Sequence, residues 1–542
     1  MKKIFLVLAG FLFGLNIFAQ EDLIHRMEKS QLKIPFTHFL YNDLFTNAPD
    51  TVHTGLKPIH FFEVPENIYS GYYNKLLLPK KTRAGKKLFN EHLFIIKDKD
   101  YFVTIDPVID WRLGKDNLVT DKSIFQNTRG IRVEGQIGKK VSFSSTVVEN
   151  WARFPKYLDR YAWYYHPPIV PGFGLNKSED HDHVDYPYAE GYLAYKPGKY
   201  FFFELGHGKH FIGEGYRSLL LSDNASVYPY FKVEATFWKV KYTTMWTAYQ
   251  NIKPEYQQNG VFKKKYSAIH YIDWHALPKL HVGFFETVVW YNENHRGFDV
   301  NFLNPLIFFK TTEYETGSNG SNTILGLNFK YHAPYDFYLY GQLVLDEMTV
   351  DKFFGEKGYW GNKFGYQLGI KTLQTKGDHR IFARLEYNTV RPYTYSHALE
   401  LVNYTHDYES LAHPFGANFK ETLFELQYRY KRIYAHNILT HAKKGFDFDD
   451  TYHYGGDLNN YIYPEDRGDE HYTLQGNLGT LLQNQFEAGY ILNPALQLKI
   501  FGGAIYRDTS IDQETSLIKN ETTKYIYVGI KTHLWNERTD VF

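Results

Sequence analysis

Apolar and polar side chains alternate with a period of two residues along most of the chain beyond residue 100. In the stretch 380–388, isoleucine, alanine, leucine and tyrosine alternate mainly with arginine, glutamate and asparagine. The stretches 423–430 and 496–507 follow the same pattern. Because successive side chains of a β-strand point to opposite faces, this period predicts strands with one apolar and one polar face.

The predicted strands come in pairs that are joined by very short turns. Eight such turns lie at 138–139, 197–198, 239–241, 277–279, 333–336, 375–378, 431–432 and 493–495, and most contain Gly, Pro or Asp, which favour turn dihedrals. Runs near 101–111 and 524–534 bring the total to about eighteen strands, and the gaps between pairs hold about 14 to 36 residues. This rhythm predicts an all-β fold, a transmembrane antiparallel β-barrel with long extracellular loops and short periplasmic turns. An even strand number places both flanks of the barrel, the segments before the first strand and after the last strand, in the periplasm.

The composition supports a barrel and excludes several other classes. Aromatic residues make up 18% of the chain, with 47 Tyr and 43 Phe, which fits aromatic girdles at two membrane interfaces. The mean hydropathy of -0.45 and the lack of a long apolar interior run exclude a helical membrane protein. A net charge of +1 provides no field for nucleic acid, and the absence of Cys excludes disulfides and thiolate sites.

Three segments follow from these patterns. Residues 1–20 have two lysines, an apolar core and a small residue before the cleavage point, which predicts a secretory signal peptide. Residues 21–98 lack clean alternation and are interpreted as a periplasmic lead-in or a plug segment, and residues 99–542 as the barrel. We therefore expect the protein in the outer membrane of a Gram-negative bacterium, in contact with outer-membrane lipid.

The charged positions of the strands are expected to face the lumen, because a charge facing lipid at mid-membrane costs about 2 to 4 kcal/mol. A salt-bridged wall is the simple interpretation, since no Gly-x-Ser-x-Gly elbow occurs and no other catalytic spacing stands out. We therefore expect no enzyme activity and no cofactor. The predicted lumen-facing charges are Arg132, Glu134, Glu204, Arg384, Glu386, Glu425 and Arg429.

The predicted loop at 152–187 contains a run of acidic and histidine side chains. Asp180, His181, Asp182 and His183 offer oxygen and imidazole ligands at a density that suits a divalent cation. A solvated loop explains the same residues, since ligand spacing alone fixes no geometry.

The same part of the chain is rich in aromatic residues. Trp151, Trp163 and Tyr164 are candidates for stacking on sugar rings. An aromatic girdle at the membrane interface explains this cluster equally well.

The stretch between Gly206 and Pro229 resembles the signature of the Wzi capsule-assembly family. The family pattern Ser-Leu-x-Leu-Ser-x-Asn-Ala matches residues 218–225, and Pro229 follows as expected, while Ile212 stands where the family has Trp. The sequence of this stretch is closer to that of the Bacteroidetes branch, which includes the gliding-motility protein RemB. Tyr216, Arg217 and Asn224 of this stretch are added to the candidate polysaccharide-binding residues.

The resemblance implies a barrel of eighteen strands whose extracellular loops attach capsular polysaccharide to the cell. It also leaves open a role in surface gliding with other surface or motility proteins. A diffusion pore is a third hypothesis. The glycine-rich stretch itself is expected to be a compact loop that packs into the barrel, since Gly permits unusual dihedrals and no phosphate-binding pattern follows.

Overall fold

The computed structural model describes residues 20–291, 297–305, 320–347, 350–353, 358–449, 451–460 and 468–542. The predicted signal peptide therefore lies outside the described residues except for Gln20. No helix in the described ranges has the length and apolarity that a membrane-spanning helix requires.

Eighteen long strands build the wall of the barrel within these described ranges. They are β1 Tyr101–Asp116, β2 Val119–Ile137, β3 Val141–Arg153, β4 Val184–Tyr195, β5 Phe201–Gly208, β6 Tyr228–Phe237, β7 Val240–Asn251, β8 Val261–Leu277, β9 Leu280–Tyr291, β10 Ser321–Ala333, β11 Phe337–Glu347, β12 Lys363–Lys376, β13 His379–Val390, β14 Phe419–Tyr430, β15 Ile433–Phe446, β16 Asn477–Asn493, β17 Leu498–Ile511 and β18 Glu521–Thr532.

Each strand pairs antiparallel with the next, and β18 closes the barrel against β1, with Tyr525 opposite Asp116 and Lys531 opposite Asp110. The prediction of a closed antiparallel barrel of about eighteen strands is confirmed. All eight short turns lie where the sequence predicted them. Each joins an even-numbered strand to the next one, from β2–β3 to β16–β17.

The connection between β1 and β2 is much shorter than expected. Only Asn117 and Leu118 separate the two strands, which extend over 16 and 19 residues. The Asp116 carboxylate accepts a hydrogen bond from the Leu118 backbone amide at 3.0 Å, and the Asn117 side-chain amide donates to the Thr522 carbonyl at 3.0 Å. These side chains stabilise a tight turn in a polar stretch that the sequence suggested was a loop.

The two faces of the wall differ as a membrane barrel requires. Ile381, Leu385 and Phe424 are exposed on the outside, whereas the intervening Arg384 and Glu425 are buried inside. Lipid therefore meets apolar side chains, and the charges are paired in the interior.

The larger part of residues 20–98 folds into short elements that lie against the inner wall, whereas helix Arg83–Phe89 has no buried residue and strand Phe94–Lys97 pairs with β1. The Asn42 side-chain amide donates to the Glu425 carboxylate at 2.9 Å, and the Gln31 amide donates to the Ser142 hydroxyl at 3.2 Å. A short strand in this segment, Leu56–Lys57, pairs with Phe211–Ile212 of the loop after β5. The helices of the described chain are α1 Gln20–Glu28, α2 His38–Phe45, α3 Ile68–Asn74, α4 Arg83–Phe89, α5 Lys156–Tyr164 and α6 Val350–Phe353.

Single turns and short strands complete the described structure. The 3-10 turns are Phe61–Glu63, Pro254–Tyr256, Val300–Leu303, Pro334–Asp336 and Glu400–Val402. The remaining short strands are Phe94–Lys97, Ile169–Val170, Gly174–Leu175, Gln257–Gln258, Thr405–His406 and Glu409–Ser410.

Residues 533–542 run back through the interior after β18. The His533 amide donates to the Gln497 carbonyl at the short-turn end of the barrel, and Phe542 packs at 5.3 Å from Phe415 and at 5.1 Å from Phe446 at the loop end. The expectation that both flanks of the barrel stay in the periplasm is therefore wrong for this tail. Its aromatic and charged side chains find partners inside the lumen that solvent does not offer.

Candidate functional site

The segment that carries the family signature, 218–225, is buried at the centre of the barrel. The Leu219 amide donates to the Gln342 side chain of β11 at 2.7 Å, and the Tyr395 hydroxyl donates to the Leu219 carbonyl at 2.7 Å. The Ser222 amide donates to the Leu411 carbonyl at 2.7 Å. The segment therefore joins the wall to the loop between β13 and β14.

Three of the candidate polysaccharide-binding residues lie inside this buried region. Arg217 is 1% exposed and pairs with Glu421 at 2.9 Å and with Asp540 at 2.7 Å. Tyr216 stacks on the His38 ring, with 4.5 Å between ring centroids, and the Asn224 amide donates to a backbone carbonyl at 3.0 Å. These side chains have protein partners and present no surface to a polymer, so they hold the interior together.

Two of the predicted lumen charges lie on β2 and form an ion pair with each other. Arg132 and Glu134 are 2.6 Å apart. Glu204, on β5, is buried and lies 2.9 Å from the Lys33 ammonium and 2.7 Å from the His60 imidazole of the N-terminal segment. These contacts fasten that segment to the wall.

The remaining predicted lumen charges lie on β13 and β14. Arg384 pairs with Glu425 at 3.1 Å, and Arg429 pairs with Asp43 of α2. Glu386 accepts hydrogen bonds from the backbone amides of Tyr216 and Arg217, at 2.8 and 3.0 Å. Both donors lie in the loop between β5 and β6 that carries the family signature, called the signature loop below. The interior charges thus bond to segments that fill the lumen.

The acidic and histidine run at 180–183 does not assemble into a metal site. Asp182 pairs with Lys122 and Arg153. The hydrogen bond from Lys122, and then that from Arg153, lowers the pKa of the Asp182 carboxyl. The His181 ring packs against Trp163, with 4.0 Å between ring centroids. Within the described residues, the groups that bring three potential ligand atoms together do not include this run. The carboxylate charge of Asp182 is already neutralised by Lys122 and Arg153.

Trp151 lies on the outer face of β3. It is 44% exposed, and its ring contacts Phe125 at 4.7 Å and His183 at 5.5 Å. Since the similarly exposed Val147 shares this face, the position of Trp151 matches an interface girdle, and its role in sugar binding stays a prediction.

Helix α5 carries the other aromatic candidates at the loop end of the barrel. Pro155 is its N-cap residue, and the Asp159 amide donates to the Pro155 carbonyl at 3.0 Å to close the first turn. Tyr157, Leu158 and Ala162 are buried beneath the helix, while Tyr164 is 39% exposed. The buried side thus fixes the helix and leaves aromatic side chains accessible.

A second loop completes this surface. Thr405–His406 and Glu409–Ser410 form a hairpin whose turn residues, Asp407 and Tyr408, have φ of 51° and 68°, as in a type I′ turn. The turn places the Tyr408 ring on the Tyr165 ring, with 4.8 Å between centroids and 22° between planes.

Tyr164 meets Tyr165 edge to face, with 5.0 Å between ring centroids. We name Trp163, Tyr164, Tyr165 and Tyr408 the aromatic loop surface. Tyr408 was missed from sequence, because Asp-Tyr is not a strong hairpin signal and its stacking partner is distant in the chain.

The hairpin rests on a buried carboxyl group. Burial raises the pKa of Glu409 to about 8, although the Gly172 amide donates to it at 2.8 Å and Lys209 lies nearby. Burial therefore favours the neutral form of Glu409 at the base of the aromatic loop surface.

Comparisons with known proteins agree with this architecture. The capsule assembly protein Wzi family matches residues 119–445, well over half of the chain. Among solved structures, Wzi of Escherichia coli, an outer membrane protein involved in group 1 capsule assembly and a carbohydrate-binding β-barrel, is similar with a TM-score of 0.54 and 13% identity, over 92% of this chain and 99% of that chain.

Two other outer-membrane structures are similar at a lower level. OccAB2 of Acinetobacter baumannii has a TM-score of 0.45 and 11% identity, over 79% of this chain and 97% of its own. OprD of Pseudomonas aeruginosa has a TM-score of 0.41 and 10% identity, over 79% and 94%. No curated protein sequence matches the chain.

The family match includes the buried signature segment and fourteen of the eighteen wall strands, and the similarity to the Escherichia coli barrel supports the same fold. The protein is an outer-membrane β-barrel, and the chain belongs to the Wzi capsule assembly family.

Proposed function

We propose that this protein binds surface polysaccharide through its extracellular loops and so organises the capsule, without catalysing a reaction. The observation that carries the proposal is the aromatic loop surface, which presents stacked tyrosine rings at the loop end of a barrel. Family membership supports a role in capsule assembly. The buried family signature then serves to hold the loops in place.

The chemistry of the surface suits a sugar polymer. Aromatic rings stack on the apolar faces of sugar rings, and polar groups at the edge bond to hydroxyls. Asp457 is exposed beside this surface, and the Asn459 side-chain amide donates to the Tyr408 carbonyl at 2.8 Å. Rings fixed by such contacts lose little conformational freedom on binding.

Substitution of the two outer tyrosines tests the proposal. Tyr164→Ala and Tyr408→Ala are each expected to weaken binding of the cell's own capsular polysaccharide by about three- to tenfold, the range of one aromatic contact. Tyr335→Ala is the control, because Tyr335 is 87% exposed on a short periplasmic turn. Binding is measured with purified polysaccharide and full-length protein in detergent.

Equal binding by all three variants and the parent protein would refute a role for the aromatic loop surface. A deletion strain supplies the cellular test and separates the two branches of the family. Loss of attached capsule supports the capsule role. A strain that keeps its capsule and loses only surface spreading would instead place the protein with the motility branch that includes RemB.

We further propose that residues 21–98 act as a plug. The ion pairs of Glu204 with Lys33 and of Arg429 with Asp43 support this, because they attach the segment across the inner wall. A filled lumen favours surface binding over diffusion through the barrel.

A further inference from the structure

A cluster of three histidines and one aspartate lies at the short-turn end of the barrel. His53 belongs to the N-terminal segment, Asp273 and His275 to β8, and His281 to β9. His275 and His281 are directly opposite each other in the β-ladder. One potential ligand atom from each of His53, Asp273 and His275 lies within 4.8 Å of the others.

The distances within the cluster are those of side chains that share one small volume. His53 Nδ1 lies 3.5 Å from Asp273 Oδ1, and His281 Nδ1 lies 4.0 Å from the same oxygen. The ring centroids of His53 and His275 are 3.9 Å apart, and those of His275 and His281 are 4.2 Å apart. Three of the groups bring ligand atoms together, and His281 lies beside them.

Several nitrogen atoms of the cluster are buried without a hydrogen-bond partner. Within the described residues they are His275 Nε2, His281 Nε2 and His53 Nδ1, of which the last lies 3.5 Å from Asp273 Oδ1, and the His281 side chain is only 6% exposed. Buried polar atoms are nearly always satisfied in folded proteins, so three such atoms in one place require an explanation. A metal ion would satisfy lone pairs that no protein donor reaches.

The carboxylate of the cluster is already oriented from outside. Asp273 Oδ2 accepts a hydrogen bond from the Gly55 amide at 3.2 Å, which leaves Oδ1 for a ligand. Partners of this kind fix the direction of metal-binding side chains. The nearby cation Lys330 donates to Thr54 at 2.7 Å and lies 3.8 Å from Glu214, so its charge is offset.

We propose that His53, Asp273, His275 and His281 form a binding site for a divalent transition metal, with Zn²⁺ as the expected ion. Three imidazoles and one carboxylate are a ligand set that Zn²⁺ accepts in tetrahedral geometry. Bonds of about 2.0 to 2.2 Å place ligand atoms about 3.4 Å apart. The proposal requires side-chain rotations that bring ligand atoms now within 4.8 Å of one another to this spacing.

A second cluster is a weaker candidate because it already holds a cation. His60, Glu63 and Glu234 also bring ligand atoms within 4.8 Å of one another. However, Lys241 pairs with Glu63 and lies 3.4 Å from Glu234, and Lys232 lies 3.2 Å from Glu234. The charges of both carboxylates are therefore compensated without a metal.

A metal at the first cluster would link the N-terminal segment to the barrel wall. His53 is far in sequence from the β8–β9 hairpin that provides the other three ligands. Since ligands from separate segments are held together only in the folded state, binding stabilises that state. A bound metal would thus cross-link the N-terminal segment inside the barrel to the barrel wall.

The test uses full-length protein in detergent, freed of metal by a chelator and then titrated with Zn²⁺. We expect one tight site per chain and a raised melting temperature. His53→Ala and His281→Ala should weaken binding by about tenfold or more. His379→Ala, at an exposed histidine on another short turn, should leave it unchanged.

Chemical modification of the parent protein provides a test that needs no variant. Zn²⁺ is expected to slow the reaction of His53 with diethyl pyrocarbonate, as read by mass spectrometry, and to leave that of His379 unaltered. The proposal is overturned if His53 reacts equally fast with and without Zn²⁺. It is also overturned if the folded His53→Ala and His281→Ala variants bind Zn²⁺ as tightly as the parent.

Discussion

Arg217 shows how a single buried charge organises the centre of this barrel. Its guanidinium reaches Glu421 on the wall and Asp540 in the tail, and all three side chains are buried. Burial of a charge costs several kcal/mol unless partners compensate it. The residue was a candidate ligand for sugar by its sequence context alone, because a motif does not reveal which face of a loop turns inward.

Replacement of this arginine should destabilise the whole barrel. Arg217→Ala removes the cation that compensates Asp540 and Glu421, although Glu421 keeps His413 at 2.8 Å and Asn388 at 2.9 Å. We expect a loss of about 3 to 5 kcal/mol in the free energy of unfolding. Urea unfolding in detergent, followed by tryptophan fluorescence, measures the change. Lys99→Ala, on an exposed turn, is the control and should lie within about 0.5 kcal/mol of the parent. A similar small effect at Arg217 would contradict this account.

Among the elements, the wall strands and their eight short turns were predictable from sequence. Period-two alternation is a local property of the sequence, and each short turn interrupts that alternation at residues that can be identified in the sequence. The β1–β2 hairpin was not predictable, since polar residues outside the membrane extend a strand pair as readily as they form a loop. The contact between Tyr165 and Tyr408 depends on two loops meeting in space, for which one sequence carries no signal.

The hairpin that carries Tyr408 should respond to pH through Glu409. Its pKa is raised by burial from an ordinary 4.5 to about 8, so the folded hairpin holds a proton that the open form releases. Stability of the closed form is therefore greatest below about pH 4.5 and falls as pH rises towards about 8, by up to about tenfold per pH unit for one proton.

Hydrogen exchange at the hairpin amides, corrected for intrinsic rates, measures this opening between pH 5 and pH 9. Glu409→Gln should remove most of the dependence, because the amide stays neutral throughout. Glu255→Gln, at an exposed glutamate in a neighbouring loop, should preserve it. An identical pH profile for the parent and Glu409→Gln would show that another group controls the loop.

At the scale of the whole molecule, several segments of the described chain fill the lumen. The N-terminal segment, the signature loop and residues 533–542 all bond to one another or to the wall, as in the pairing of Leu56–Lys57 with Phe211–Ile212 and of Arg538 with Asp223. The sequence predicted the inward charges of the wall. It did not reveal the path of the tail, because ten irregular residues have no periodicity to interpret.

A filled lumen predicts a barrel that does not conduct. The full-length protein in planar bilayers should show no large steady conductance, and a variant that lacks residues 21–92 should conduct more, because one of the segments that fill the lumen is gone. Folding of both proteins is verified by their shifted migration on unheated gels. Steady conductance of the full-length protein, comparable to that of the shortened variant, would restore the diffusion-pore hypothesis.

The tail and the N-terminal segment are connected to the same pair of wall strands. Residues 20–98 lead into β1, residues 533–542 leave β18, and these two strands pair through Asp110–Asp116 and Tyr525–Lys531. Separation of β18 from β1 therefore displaces the partners of Arg217 and Asp223 together with the wall. We therefore expect closure of the cylinder and packing of its contents to be coupled on unfolding.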